Sequence, residues 1–342
     1  MNPLVDAVRT RREALGSSVL LLAHHYQRPE IVALSDRRGD SYALAREAAA
    51  SPARHIVLCG VRFMAESAAI LARPEQRVWH PNPESGCPMA DMALVEDVER
   101  AWRILTGLLG DQVVPMAYVN SSAEVKAFCG RHGGAVLTSS NVRRALEWAW
   151  RQRPVVLFLP DRNLGRNTAL AMGVREEQIA LWRWRDTTAP APLDRLAKAK
   201  LVLWDGHCHV HTHFRPEHVR FAREAHPKAR VVVHPECDPS VVAIADGAGS
   251  TSYLVEQVEK ASPGSTIVIG TEENLIVRLA NAHPDRKVLP LARSLCPNMF
   301  RISPRHVMET LDHLDDGTRP PISIPEDVAA EARLALQRML RI

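Results

Sequence analysis

The order of apolar segments repeats three times along this sequence, and that repetition constrains the fold more than any other feature. Short apolar runs alternate with amphipathic helical stretches, and most of the runs end in polar loops. Continuous apolar strands separated by helices are typical of parallel sheets that are covered on both faces. The sequence therefore predicts an α/β fold.

Each repeat contains three kinds of strand in the same order. The first kind ends in polar groups, the second leads into a helix, and the third is followed by a cysteine. The strands of the first kind end within residues 21–27, 115–120 and 231–236. The strands of the second kind begin the segments 56–71, 135–146 and 266–279. The strands of the third kind precede Cys87, Cys208 and Cys296. Extra residues between Gln152 and Lys200 add one more strand to the middle repeat.

This pattern predicts three similar three-layer αβα domains with short parallel sheets around a pseudo-threefold axis. We expect the domains at 1–93, at 94–214 with the insertion, and at 215–342 with a final helix. An opening helix is expected over 2–15, with Asn2 as its cap. Functional loops lie at the carboxyl ends of parallel strands, so three such units can direct their loops at one central cavity.

Charge and composition exclude several other classes of protein. The net charge of +4 is too small to indicate a nucleic-acid partner by itself. No apolar run reaches the roughly 18 residues that a membrane helix needs, and the first residues do not have the pattern of a signal peptide. We therefore expect a cytoplasmic protein with neither a membrane nor a nucleic-acid partner, whose six cysteines are not disulfides.

Three of the cysteines are candidate metal ligands, because Cys87, Cys208 and Cys296 each follow a strand within an irregular loop. Three thiolates are one ligand short of a closed site. An iron–sulfur cluster would leave one iron open to substrate, whereas zinc would recruit a histidine from the alternating run. That run supplies His207, His209, His211 and His213. Of the other cysteines, Cys59 is expected in the core and Cys129 on an exposed helix end, and Cys237 is ambiguous.

Polar side chains close the first strand of every repeat. They are His24 and Tyr26, Tyr118 and Asn120, and His234 and Glu236. Such groups suit acid–base chemistry and the binding of a polar substrate. A further set stands at helix starts: Ser41, Ser139, Ser250 and Thr251. These residues suit helix caps, and the same helix ends can bind carboxylates or a phosphate.

Motifs along nearly the whole chain identify a known family. They are AHHYQ at 23–27, GDSYALA at 39–45, CGVRFMAESA at 59–68, GCPMAD at 86–91, AYVNSSAEVKA at 117–127, TSSN at 138–141, LPDRNLG at 159–165, GHCHVH at 206–211, HPEC at 234–237, GST at 249–251, GTEENL at 270–275 and CPNM at 296–299. With these motifs in this order, the chain strongly resembles the quinolinate synthases of NAD biosynthesis.

The resemblance implies a triangular arrangement of three domains around a [4Fe–4S] cluster held by Cys87, Cys208 and Cys296. It implies the condensation of iminoaspartate with dihydroxyacetone phosphate to quinolinate, and functional coupling to L-aspartate oxidase or aspartate dehydrogenase. By motif match, the residues that line the site are His24, Tyr26, Ser41, Tyr118, Asn120, Ser139, His234, Glu236 and Thr251. Tyr26, His234 and Glu236 are the expected catalytic residues, and Ser250 is included with the substrate-binding set.

Two other classes of protein remain open on the residues alone. A zinc-dependent hydrolase could use the histidine run together with Cys208. An iron–sulfur sensor without catalytic activity could use the three cysteines. Iron and sulfide content separates zinc from a cluster, and product formation separates an enzyme from a sensor.

Overall fold

Three parallel sheets flanked by helices make up the structure, a computed structural model that describes residues 3–188 and 190–342. The first sheet contains β1 (Val19–His24), β2 (Arg37–Gly39), β3 (His55–Cys59) and β4 (Arg77–Trp79). The second contains β5 (Val113–Tyr118), β6 (Ala135–Leu137), β7 (Val155–Leu159), β8 (Ile179–Trp182) and β9 (Leu201–Trp204). The third contains β10 (Arg230–Val233), β11 (Gly247–Ala248), β12 (Thr266–Gly270) and β13 (Lys287–Pro290).

The three sheets share one topology. Their strand orders are β2-β1-β3-β4, β6-β5-β7-β9-β8 and β11-β10-β12-β13. The second sheet thus follows the same order as the others, with β8 added at its edge. Every pair of neighbouring strands is parallel. The predicted α/β class with three similar αβα units is therefore confirmed.

Two details of the predicted repeat are wrong. The strand at 135–137 was matched to β3 and β12, but β6 lies at the sheet edge, where β2 and β11 lie in the other units. The true counterpart of β3 and β12 is β7. The segment between Gln152 and Lys200 also holds two strands, β7 and β8, where one was expected.

The helices cover both faces of each sheet or connect its strands. They are α1 (Pro3–Leu15), α2 (Pro29–Leu34), α3 (Ser41–Ala50), α4 (Arg62–Leu71), α5 (Val95–Leu109), α6 (Ala123–Arg131), α7 (Val142–Gln152), α8 (Arg162–Ala171), α9 (Leu193–Leu196), α10 (His209–Thr212), α11 (Pro216–Ala225), α12 (Pro239–Val242), α13 (Thr251–Glu259), α14 (Glu273–Ala282), α15 (Pro297–Phe300), α16 (Pro304–Asp312) and α17 (Glu326–Arg341). Pro3 stands at the first turn of α1, as expected, while the proposed cap Asn2 lies outside the described residues. None of the described helices is long and apolar enough to cross a membrane.

The central strands are buried on both faces, which explains their continuous apolar sequences. All five residues of β7 are buried, and all six of β5. In β1 the side chains alternate between two hydrophobic clusters, with Leu22 in one and Leu21 and Ala23 in the other. Alternation of this kind follows from the twofold periodicity of a strand. The three sheets are therefore rigid supports for the loops at their carboxyl ends.

The segment after the third sheet packs on the other two units. Helix α16 lies against α1, and α17 lies against α6 and β6. The approach of α17 is close at Gly130, where an added Cβ would lie 1.9 Å from the carbonyl oxygen of Glu331. Cys129 is buried in the same hydrophobic cluster as Ala335 and Leu336 of this helix. The expectation that Cys129 is exposed is therefore wrong, while the exact domain boundaries stay a prediction.

Candidate active site

All three sheets contribute to one cavity at the carboxyl ends of their strands. Cys87, Cys208 and Cys296 line it, and each follows the last strand that its unit adds in sequence. Each cysteine is only partly buried, whereas Cys59, Cys129 and Cys237 are buried among core residues. The structure therefore brings together the three cysteines that the sequence singled out, and it assigns the ambiguous Cys237 to the core of the third unit.

The electrostatics of these thiols suit a cation. Burial raises the pKa of Cys87 to about 12 and the pKa of Cys296 to about 11. Burial and the charge of Glu236 raise the pKa of Cys208 well above its usual value. Thiols this hard to ionise become thiolates when a metal binds them, because the cation stabilises the charge. Three converging sulfur donors fit soft iron in an iron–sulfur cluster.

Cys208, His211 and Glu236 form a second group of potential ligands, whose nearest ligand atoms lie within 4.8 Å of one another. In this group His211 already uses both ring nitrogens. Its Nδ1 lies 2.8 Å from Glu236 Oε2, and its Nε2 lies 3.0 Å from Thr271 Oγ1. A histidine with both nitrogens engaged must give up a hydrogen bond before it can bind zinc, so the donor set favours sulfur ligation.

The polar groups at the ends of β1, β5 and β10 meet in the cavity at matching positions. His24 and Tyr26, Tyr118 and Asn120, and His234 and Glu236 all line it. Tyr118 donates a hydrogen bond of 2.6 Å to Glu236 Oε1. Burial opposes the ionisation of Glu236, but His234 and His211 outweigh burial and hold the pKa of this carboxyl below its usual range. The carboxylate is thus ionised and surrounded by groups that can exchange protons with it.

Two histidines present the same ring edge to the cavity. His24 Nδ1 accepts a hydrogen bond from Tyr26 N at 3.1 Å, and His234 Nδ1 accepts one from Glu236 N at 3.3 Å. Burial lowers the pKa of His24 to about 4. Burial, assisted by the charge of His211, lowers the pKa of His234 to about 3. Both rings are therefore neutral near pH 7, and each carries its proton on Nε2, where it can donate to a bound ligand.

Tyr26 connects the first and third units through hydroxyl groups. Its Oη lies 2.8 Å from Thr271 Oγ1 and accepts a hydrogen bond of 3.0 Å from Thr251 Oγ1. Burial raises the pKa of Tyr26 well above its usual value, so the phenol is neutral. A neutral phenol with ordered neighbours can orient, or donate to, an oxygen of a substrate.

Ser41, Ser139 and Thr251 line the cavity at helix starts, as the sequence suggested. Their expected role as caps is wrong, however. Asp40 caps α3 by accepting from Ala43 N at 2.9 Å, and Ser250 caps α13 by accepting from Tyr253 N at 3.3 Å. Ser250 is thus the cap that the sequence suggested, and it is not among the residues that line the cavity, so its assignment to substrate binding stays a prediction.

Asp40 connects the three units next to these hydroxyl groups. Its Oδ2 accepts hydrogen bonds from Ser140 Oγ at 2.6 Å and from Ser252 Oγ at 2.7 Å. Asp40 and its two partners each directly adjoin one of the cavity-lining residues Ser41, Ser139 and Thr251. One buried carboxylate thereby fixes the relative positions of all three hydroxyl groups.

Sequence reasoning did not single out Asp40, and it named His211 only as one of four histidines that could complete a zinc site. Asp40 directly precedes Ser41, and its acidic side chain at a helix start was a usable sign of a cap. His211 follows Cys208 by three residues, which places both on one side of the short helix α10. The other histidines of the run are less central: His209 lines the cavity, His207 lies near Arg162, and His213 packs on His218.

Three parallel sheets around one cavity lined by thiols, neutral imidazoles and a carboxylate define an α/β enzyme whose active site suits a sulfur-bound metal group. The pattern of one protein family, described as quinolinate synthetase A protein, matches residues 6–341. The chain belongs to that family.

Curated relatives agree with this assignment. The quinolinate synthase of Halalkalibacterium halodurans is 45% identical over 341 residues, which cover 98% of this chain and 93% of the relative. That of Geobacillus thermodenitrificans is 46% identical over 338 residues, covering 98% and 92%. That of Acidobacterium capsulatum is 45% identical over 344 residues, covering 98% and 92%. The resemblance inferred from the motifs is thereby confirmed, and the chain is an enzyme of the family that serves NAD biosynthesis.

Proposed function

We propose that this chain condenses iminoaspartate with dihydroxyacetone phosphate to quinolinate, with release of phosphate and two waters. The observation that carries the proposal is the meeting of Cys87, Cys208 and Cys296, each from a different sheet, in a cavity with His24, Tyr118 and Glu236. The relatives to which the chain is similar are named quinolinate synthases, which gives the product of the proposed reaction.

The proposed cofactor is a [4Fe–4S] cluster bound through Cys87, Cys208 and Cys296. When bound, such a cluster supplies a Lewis-acidic iron at the position that has no cysteine ligand. The sulfur donor set fits this group, because soft thiolates select iron–sulfur clusters. The remaining tasks fall to the side chains of the cavity.

Substrate binding is assigned to neutral donors at the ends of the strands and helices. Ser41, Ser139 and Thr251 lie at helix starts, where hydroxyl groups and free backbone N–H groups favour anions. Their targets are the two carboxylates of iminoaspartate and the phosphate of the second substrate. His24 and Asn120 add further donors to the same cavity.

Proton transfer is assigned to Glu236, His234 and Tyr26. Formation of a pyridine ring from two acyclic molecules requires several proton transfers and the interconversion of a carbonyl and an enamine. Glu236 contacts Tyr118 and His211 directly, so it can take up a proton from the substrate and pass it on. Tyr26 can orient an enolate oxygen, since its hydroxyl is fixed by Thr251 and Thr271.

Supply of the first substrate implies a functional partner. Iminoaspartate arises from L-aspartate by oxidation, so we propose functional coupling to L-aspartate oxidase or aspartate dehydrogenase. We also propose that the reaction takes place in the cytosol, because six free thiols suit a reducing compartment.

The test is anaerobic purification, followed by measurement of iron and sulfide per chain and of quinolinate formed from the two substrates. About four irons and four sulfides with product formation is the expected result. A zinc-dependent hydrolase is the competing function, favoured by the proximity of Cys208, His211 and Glu236. Stoichiometric zinc without sulfide would support that function, and a cluster without product would indicate a sensor.

A further inference from the structure

One backbone hydrogen bond recurs beside every cysteine of the cavity. In each unit the first residue of a helix donates its N–H to the carbonyl oxygen two residues before the cysteine. The pairs are Arg62 with Ser85 at 2.8 Å, Arg162 with Gly206 at 3.0 Å, and Glu273 with Ser294 at 2.8 Å. The cysteine loops are thus fixed at equivalent points to the starts of α4, α8 and α14.

The residue just before each helix differs, and this difference is informative. Asp161 precedes α8, and its side chain is fully buried. Oδ1 accepts a hydrogen bond from Leu164 N at 2.7 Å, which caps the helix. Oδ2 accepts one from the backbone N–H of Cys208 at 3.2 Å. A single carboxyl group therefore joins a helix start to a cysteine of the cavity.

Glu272 makes the same connection in the third unit. It precedes α14 and is also fully buried. Oε2 accepts from Asn274 N at 2.8 Å and from Leu275 N at 3.4 Å, which caps the helix. Oε1 accepts from the side chain of Asn274 at 3.0 Å and from the backbone N–H of Cys296 at 3.4 Å. The arrangement of Asp161 is thus reproduced with a side chain that is one methylene longer.

The first unit departs from this rule. Val61 stands at the matching position before α4 and has no oxygen in its side chain. The Cys87 loop is held instead through Ser85, whose hydroxyl lies 2.7 Å from the carbonyl oxygen of Asn298 and 3.2 Å from that of Gly60. The acidic caps are therefore specific to Cys208 and Cys296.

We propose that Asp161 and Glu272 are positioning residues for the metal group, which hold the backbones of Cys208 and Cys296 so that both thiolates face it. A buried N–H needs a partner, and the carboxyl groups of Asp161 and Glu272 supply one to Cys208 and to Cys296. The inference rests on the proposed function, because it takes these cysteines as cluster ligands. Groups that orient metal ligands typically affect metal affinity by about 10- to 100-fold when removed.

The competing explanation is that both residues are only helix caps. Asp161→Ser separates the two roles, because serine caps a helix well but has a single short oxygen that cannot also reach Cys208 N. Asp161→Asn and Glu272→Gln nearly keep the volume of the side chain but replace one of its two acceptor oxygens with the NH2 group of an amide, which donates hydrogen bonds. Ser122→Ala is the matched control, since Ser122 caps α6 through Val125 N and touches no cysteine of the cavity.

The experiment uses the full chain, reconstituted anaerobically with iron and sulfide. Iron and sulfide per chain are measured, then the rate at which a ferrous chelator removes iron, and the thermal midpoint of the cluster-free protein. We expect Asp161→Ser, Asp161→Asn and Glu272→Gln to lose iron about 10- to 100-fold faster than wild type. Ser122→Ala should lose iron at the wild-type rate, and the cluster-free midpoint of Asp161→Ser should fall no further than that of Ser122→Ala.

The outcomes distinguish this inference from the proposed function. A wild-type chain that assembles no cluster would overturn the proposed function and this inference with it. The inference alone would be overturned if the wild-type chain assembled a full cluster and the variants Asp161→Ser, Asp161→Asn and Glu272→Gln released iron at the wild-type rate. If Asp161→Ser released iron faster than wild type but no faster than Ser122→Ala, Asp161 and Glu272 would be helix caps and nothing more.

Discussion

The hydroxyl of Tyr118 donates a 2.6 Å hydrogen bond to Glu236, which joins the ends of β5 and β10 across the cavity. His211 contacts the other carboxylate oxygen at 2.8 Å and stacks on His234 with ring centroids 4.3 Å apart. Glu236 of the third unit is thus held by two side chains of the second unit, Tyr118 at the end of β5 and His211 in α10. These contacts support the proposed role of Glu236 in taking up a proton from the substrate.

Glu236→Gln should keep the cluster and bind substrate but lose most turnover. The amide cannot accept a proton, and general acid–base catalysis is typically worth about 10²- to 10⁴-fold in rate. The measurement is single-turnover formation of quinolinate by the replete variant. Asp238→Asn is the matched control, since Asp238 lies two residues further on and its side chain accepts hydrogen bonds only from Ser240 among the described contacts. Wild-type rates in Glu236→Gln would leave it a structural residue.

Cys208→Ser should abolish the cluster, because a hydroxyl is a poor ligand for soft iron. Cys59→Ala should keep it, since Cys59 is buried in a core cluster beneath the first sheet and its thiol is difficult to ionise. Iron and sulfide per chain under strict anaerobiosis decide the matter. Full occupancy in Cys208→Ser, or loss of iron in Cys59→Ala, would contradict the assignment of ligands.

Thr251→Ala should lower kcat/KM by about 10- to 100-fold. A charge-assisted hydrogen bond contributes about 1.5–3 kcal/mol, and every 1.4 kcal/mol is about tenfold. The substitution also removes the hydrogen bond that the Thr251 hydroxyl donates to Tyr26 Oη. Thr106→Ala serves as the control, because Thr106 bonds only to the backbone of its own helix α5. Unchanged steady-state kinetics in Thr251→Ala would show that the hydroxyl does not bind substrate.

Asp40→Asn should destabilise the chain in a pH-dependent way. Burial opposes ionisation of Asp40, but hydrogen bonds from Ala43, Ser140 and Ser252 outweigh it and lower the pKa of this carboxyl. A carboxyl whose pKa is lower in the folded state stabilises it above the unfolded pKa of about 3.9, and this contribution is lost as pH falls through the folded pKa.

The measurement is the denaturant midpoint of wild type and Asp40→Asn from pH 7 downward. The difference between them should be largest at pH 7 and should shrink below about pH 4. Ser252→Ala, which removes one of the three donors, should show a smaller difference at pH 7. A gap between wild type and Asp40→Asn that does not change with pH would mean that the charge of Asp40 plays no part.

The elements that could be predicted from the sequence are those with a strong apolar pattern. The buried strands β1, β3, β5, β7 and β12 stand out as apolar runs, and the cysteines after β4, β9 and β13 were found because each follows such a run. The short edge strands β2 and β11 were missed, since Arg-Arg-Gly and Gly-Ala carry almost no apolar signal. Without them, β6 was matched to the wrong strands of the other units.

The remaining errors concern contacts between distant parts of the chain. Cys129 lies in a polar segment, but it is buried in a cluster that it shares with Ala335 and Leu336 of the distant helix α17. The link from Asp40 to Ser140 and Ser252 likewise depends on how three units meet. Neither relationship has a local sequence pattern, so only the assembled fold reveals it.

The packing of α17 on α6 and β6 also bears on how the chain is made. A nascent chain that has emerged only through the third sheet still lacks the helix that covers Phe128 and Cys129 in the middle unit. The middle unit therefore completes its core after the third sheet has been synthesised, although it comes earlier in the sequence. Assembly of the proposed cluster is then a late event, because Cys296, the last of its three proposed ligands, follows the third sheet.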